Sequence, residues 1–150
     1  MQSPNARQLG WLGLSALVIA ADQISKWSML SSFVRGESVT ITSFFDLVLV
    51  FNRGAAFSFL ASAAGWQRWF FVLLAFAISA WILLMLKRHA AERLLPLALA
   101  LVLGGALGNV IDRLIYGAVV DFLSFHIGDH YWPAFNVADS AISVGVVLMV

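Results

Sequence analysis

The 150-residue chain contains no cysteine. This excludes disulfides, thiol nucleophiles and cysteine-based metal sites, though it does not identify a compartment. Charge is scarce as well: 11% of the residues are Asp, Glu, Lys or Arg, where soluble domains carry roughly a quarter. The net charge of +1 is too small to suggest nucleic acid, and neither a basic run nor the interleaved aromatic platform that such binding needs is present. A Gly-x-Ser-x-Gly nucleophile motif and a His-Glu-x-x-His zinc motif are also missing, so serine and zinc peptidase chemistries lack their carriers. There is no internal repeat and no low-complexity segment. What fills the chain is apolar: 61% of residues are hydrophobic and the mean hydropathy is +0.90. This composition predicts one integral membrane domain over residues 1–150.

After a polar start carrying Arg7, an apolar stretch runs from Leu9 to Ala21. It has the outline of a secretory signal peptide, with Trp11 to Ile19 as the apolar region and Val18-Ile19-Ala20-Ala21 as the cleavage site. The apolar character resumes through Ile24, Trp27, Met29 and Leu30, however, giving the length of about 20 residues a span needs. A first transmembrane helix is therefore expected over 9–30. Asp22 and Lys26 stand four apart in it, acid first, the favourable order for an ion pair. A snorkelling interfacial pair and a functional pair account for them equally well, and both put this helix end near a membrane surface.

From Ser31 to Gly65 the pattern changes. Ser38–Thr42 alternates and Phe44–Phe51 is rich in β-branched and aromatic residues, which reads as strands of a small sheet on the membrane face, phenylalanines toward lipid. Asn52-Arg53-Gly54 supplies turn chemistry, and an ordinary turn role for Asn52 is favoured by spacing alone. A second span is expected over 66–86, anchored by Trp66 and Trp69 and closed by Lys87-Arg88-His89. The short connection that follows holds Lys87, Arg88 and Arg93 against one acid, Glu92, and is expected on the cytoplasmic side together with Arg7. Residues 31–65 and 116–136 then lie outside. The third span, over 94–115, has Pro96 in its first turn, where a missing N–H is tolerated. It carries Gly104-x-x-x-Gly108, a spacing that lets helix backbones approach closely. Asn109, Asp112 and Arg113 follow, and the face bearing Asn109 and Arg113 should look into the bundle or a wet cavity. Residues 116–136 return along the outer surface and Asn136 opens a last helix over 136–150. At 1.5 Å per residue this helix is about 22 Å long, short of a roughly 30 Å core. It is expected to be cut short or to be completed by residues beyond Val150.

Two acids stand out. Asp121 lies in Val119-Val120-Asp121-Phe122-Leu123 with no polar neighbour within two residues, and ionisable groups at membrane depth are costly enough to be functional candidates. Asp139 follows the polar connection, three residues after Asn136. The plain alternative for it is a first-turn acid complementing the helix dipole beneath an Asn136 cap. Both acids are expected just inside the outer boundary, where a shared site is possible. Two neighbouring carboxylates would hold one proton near neutral pH, because repulsion and partial burial raise one pKa while the other stays low. That is the aspartic-protease arrangement: one carboxylate takes a proton from water, the other hydrogen-bonds the scissile carbonyl. The same pair, with Arg113, would serve a proton- or ion-coupled transport protein as a relay. A relay needs polar residues through the full membrane depth, whereas Leu73–Ala77 and Leu97–Leu103 are apolar throughout. An assembly subunit packing through Gly104 and Gly108 would leave the acids unexplained. His126, Asp129 and His130 are close enough in sequence to suggest a metal, but solvated surface histidines are commoner, and no metal or cofactor is expected.

These motifs together resemble the lipoprotein signal peptidases, the type II signal peptidases of bacteria. Asp22-x-x-x-Lys26 is similar to the family's first signature and Asn52-Arg53-Gly54-Ala55-Ala56-Phe57-Ser58 to its second. Gly104-Gly105-Ala106-Leu107-Gly108-Asn109-x-x-Asp112-Arg113, running into Val119-Val120-Asp121-Phe122, resembles the third, and Phe135-Asn136-Val137-Ala138-Asp139-Ser140 the last. The resemblance implies an all-α membrane fold of four transmembrane helices, with both termini cytoplasmic and a small extracytoplasmic sheet between helices 1 and 2. It implies an aspartyl endopeptidase of the bacterial inner membrane, its active site near the extracytoplasmic face. The substrate would be a diacylglyceryl-modified prolipoprotein, cut just before the lipidated cysteine, and globomycin would block the cleft. Asp121 and Asp139 match the catalytic pair. Asn52, Gly54, Asn109, Arg113 and Asn136 would line the site, with Asp22 and Lys26 in support. A monomer in the lipid bilayer is expected. The match departs at the end of the chain, where family members usually complete the fourth helix and add a basic tail.

Overall fold

The computed structural model describes residues 3–54 and 65–150. Helix α1 covers Pro4–Ser32, five residues earlier than the apolar run alone suggests. Its start is set by polar chemistry: the Ser3 side chain accepts from the Ala6 N–H at 3.2 Å and proline follows at the opening position, where its missing N–H is harmless. Helices α2, Trp66–His89, and α3, Leu94–Tyr116, are joined by a tight connection. Both are long and apolar enough to cross a membrane, with mean hydropathies of 2.5 and 2.1. Gly117 ends α3 at a φ of +72° and returns its N–H to the Arg113 carbonyl at 3.1 Å, the left-handed cap that glycine adopts without strain. Helix α4 covers Val137–Met149.

The sheet corrects the expected one. Its strands are β1, Ser38–Thr40, and β2, Phe45–Asn52, from the α1–α2 connection, and β3, Val119–Ile127, and β4, His130–Tyr131, from the α3–α4 connection. They run antiparallel in the order β1-β2-β3-β4. Both connections therefore share one sheet, and 116–136 is not a plain surface return. Val119–Phe122 is buried at every residue, so the strand shows no alternation of apolar and polar residues to betray it. A bulge in β2 between Leu47 and Val50 shifts the pairing by one residue, placing Val50 opposite Asp121. The phenylalanines stack on one another: Phe125 on Phe45 at 4.9 Å and on Phe135 at 5.7 Å between ring centroids.

Helix α3 is the hub, packing on α1, α2 and α4, while α2 and α4 make no broad contact with each other. Its glycines make this possible. A Cβ on Gly104 would lie 2.6 Å from Val18 Cβ, one on Gly108 would lie 2.6 Å from a carboxylate oxygen of Asp22, and one on Gly105 would strike the Ala138 carbonyl. The Gly104/Gly108 spacing is thus spent on α1–α3 packing inside the chain, which removes it as an assembly surface. Two apolar clusters follow. Ile82, Leu86, Leu99, Val102 and Leu103 join α2 and α3, and Met29, Leu49, Val120 and Phe122 join the end of α1 to the sheet. Along α1, Asp22 and Lys26 fall between them.

Candidate active site

Asp22 and Lys26 do not snorkel; they are 0% and 2% exposed. The three N–H donors of an ammonium find three acceptors: Asp22 Oδ2 at 2.7 Å, Asp112 Oδ2 at 2.7 Å and Asn109 Oδ1 at 3.1 Å. Gln23 Nε2 adds bonds to Asp112 Oδ1 and the Gly108 carbonyl, both at 3.0 Å. Each acid also takes a backbone N–H from the elements that carry the site. Asp22 Oδ1 accepts from Ala138 in α4 at 2.9 Å, and Asp112 Oδ2 accepts from Val120 in β3 at 2.9 Å. A charged cluster inside a protein persists only when its hydrogen-bonding capacity is filled, and this one is filled by α1, α3, β3 and α4 together. Asp112 and Gln23 were not singled out as site residues from the sequence. Asp112 stood in the third motif, but its side-chain partners Lys26 and Gln23 lie 86 or more positions away.

The candidate acids hang from this cluster through two amides. Asn109 Nδ2 donates to Asp139 Oδ1 at 2.9 Å while its Oδ1 receives Lys26. Asn136 Nδ2 donates to Asp121 Oδ1 at 2.9 Å and lies 3.2 Å from Asn109 Oδ1 and 3.1 Å from the Val120 carbonyl. Its own Oδ1 accepts the Asp139 N–H at 2.8 Å. Asn136 is therefore the helix cap foreseen for it and a link between the acids at once. Asn52 likewise fills two roles: its Oδ1 closes a turn on the Gly54 N–H at 2.8 Å, and its Nδ2 donates to Asp121 Oδ2 at 3.1 Å.

The two acids differ in setting. Asp121 is 2% exposed and Asp139 is half-buried. Burial, then the nearby charge of Asp139, pushes the Asp121 carboxyl up to about 7, overcoming the donors from Asn52 and Asn136 and the charge of Lys26. A cavity of about 240 Å³ lined by Asn52, Arg53, Asp121 and Pro133 opens beside it. Arg113 makes no ion pair within 4 Å among the described residues; its guanidinium lies over the Phe71 ring, 4.7 Å from the centroid. The same ring explains Gly54, which has a φ of +112° and where a Cβ would come within 2.9 Å of Phe71. Ala55–Ser58 of the second motif lie outside the described residues. His126 faces Asp46 at 3.3 Å and stacks on Tyr131 at 4.5 Å; no group of three or more such residues able to hold a metal exists among the described residues.

Two solved structures, each described as a bacterial membrane enzyme, share this architecture. One has a TM-score of 0.81 at 30% identity, covering 93% of this chain and 84% of that one. The other has a TM-score of 0.82 at 29% identity, covering 93% and 89%. Fold and buried polar layer thus define a membrane enzyme. The family model for signal peptidase (SPase) II matches residues 14–150. The lipoprotein signal peptidase of Azoarcus sp. (strain BH72) is 60% identical over 141 residues, 94% of this chain and 80% of the relative. That of Janthinobacterium sp. (strain Marseille) is 55% identical over 148 residues, 99% and 90%. The chain belongs to the signal peptidase II family and is a peptidase.

Proposed function

We propose that this peptidase removes the signal peptide from diacylglyceryl-modified prolipoproteins, cutting before the lipidated cysteine, with Asp121 and Asp139 as its catalytic pair. The observation that carries the reading is the hydrogen-bonded path Asp121–Asn136–Asn109–Asp139, which links the two acids, Asp121 at a cavity wall, and ties both to the Lys26 cluster. Buried Asp121, with its raised pKa, keeps the shared proton and donates it toward the scissile carbonyl oxygen. Asp139, the more open of the two, takes a proton from the attacking water and passes it to the leaving nitrogen as the C–N bond breaks. The peptide bond is hydrolysed without a covalent intermediate, metal or cofactor.

In this reading α1, α2 and α3 span the bilayer and α4, Val137–Met149, enters it from the sheet side. Leu17, Ile24 and Trp27 on α1 and Leu73, Trp81 and Leu84 on α2 are each more than half exposed, as lipid-facing positions are. The basic α2–α3 connection puts that end in the cytoplasm and the sheet outside the inner membrane. Helices α2 and α4 both pack on α3 but not broadly on each other, and in this reading the lipidated substrate enters sideways from the bilayer between them. Acyl chains seated there hold the peptide bond at the acids, so the lipid is a binding element of the substrate. The test is cleavage of a synthetic prolipoprotein with and without its diacylglyceryl group by purified enzyme. Loss of the lipid is expected to abolish efficient cleavage; equal rates on both substrates sink the lipid role.

A further inference from the structure

At the end of the bundle opposite the sheet lies a cavity of about 530 Å³, larger than the one beside Asp121. The first turns of α1 contribute Arg7, Gly10 and Trp11, and the α2–α3 connection contributes Glu92 and Arg93. Trp11 donates its indole N–H to the Ala90 carbonyl at 3.2 Å, fixing the two walls together. Gly10 has open space where a Cβ would stand, so the cavity extends to the α1 backbone.

The charge in this cavity is mainly positive, two arginines against one acid. The carboxylate of Glu92 is turned to His89, 2.6 Å away. Arg7 and Arg93 have no carboxylate within 4 Å among the described residues. Helix α3 begins here with no side-chain cap and no acid in its first turn, so its positive dipole end adds to the same sign. Leu9 and Leu94, 66% and 56% exposed, flank the cavity in sequence on the two walls. Guanidinium groups bind phosphate oxygens in pairs, and basic pockets between membrane helices suit anionic headgroups.

We propose that this cavity binds a phosphate group, that of an anionic phospholipid whose chains lie along α1 and α3. The inference rests on the membrane-spanning reading of these helices and is independent of the acid pair, so it is tested by binding and not by cleavage. Phosphatidylglycerol is titrated into the purified protein in neutral detergent and the rise in thermal midpoint is followed, each variant against its own lipid-free baseline. At about fivefold per basic residue, the double variant Arg7→Gln/Arg93→Gln is expected to need about 25-fold more lipid for the same rise. Gly10→Leu, which fills the cavity without removing charge, is expected to lose the rise. Lys87→Gln/Arg88→Gln, removing equal charge outside the cavity, is expected to shift it far less. Equal loss in both charge variants means diffuse surface attraction and overturns the site, as does the absence of any rise in the parent. If inorganic phosphate alone reproduces the rise, the occupant is soluble phosphate and the lipid assignment falls.

Discussion

Asp121 contributes a pH dependence of its own. Its ordinary value is 3.8 and its folded value about 7, so between these limits the unfolded chain releases a proton that the folded chain keeps. The contribution of Asp121 to folding stability is therefore fullest below about pH 4, falls as pH rises to about 7, and levels off beyond. Thermal midpoints across pH 4 to 8 should show this decline in the parent and a flatter profile in Asp121→Asn. Activity should fall above about pH 7 as Asp121 loses its proton, and both Asp121→Asn and Asp139→Asn should abolish cleavage while remaining folded. Lys26→Met leaves Asp22 and Asp112 buried without their cation, a loss of about 3–5 kcal/mol. Denaturant unfolding would measure it, and adding Asp112→Asn should recover part. The Asp22–Lys26 spacing was legible in the sequence, and so was the oddity of Asp121 among valines. The depth of the first pair was not, because its partners Asn109 and Asp112 stand 83 and 86 positions from Lys26, and helix spacing says nothing of contacts at that range. Arg113 is the reverse case: its position on a bundle-facing helix side was readable, but its ring partner Phe71 belongs to another helix.

Among the elements, α3 is the one most sensitive to bulk. Gly105→Ala would drive a methyl into the Ala138 carbonyl and Ile142, and Gly108→Ala into the Asp22 carboxylate; overpacking of this kind costs about 1–3 kcal/mol. Gly10→Ala meets open space and should be neutral or stabilising by up to about 1 kcal/mol. Comparing the three thermal midpoints checks that the difference lies in the contact and not in glycine content. The helices were largely readable because each apolar run exceeds the length a strand could use. Their ends were set by what hydropathy does not weigh, such as the Ser3 cap and the left-handed Gly117. Strand β3 was missed for the opposite reason: buried on both faces over its first half, it is a short apolar run, and only its pairing with β2 reveals its type.

For the whole molecule, the two ends differ in chemistry: the acid pair and the sheet at one, the cavity holding Arg7 and Arg93 at the other. Since the chain has no cysteine, a single introduced thiol reports its own side of the membrane. Asp129→Cys should react with an impermeant maleimide in intact spheroplasts, and Ala91→Cys only after lysis; the reverse pattern would invert the proposed orientation. The sheet drawn from both connections bears on how the chain can be divided. Residues before the α2–α3 connection bring Asn52 and Lys26, residues after it bring both acids, and the two portions meet along β2 with β3 and along α1 with α3. Two separately encoded pieces, 1–91 and 92–150, should therefore find one another in the membrane and regain cleavage together, neither having it alone.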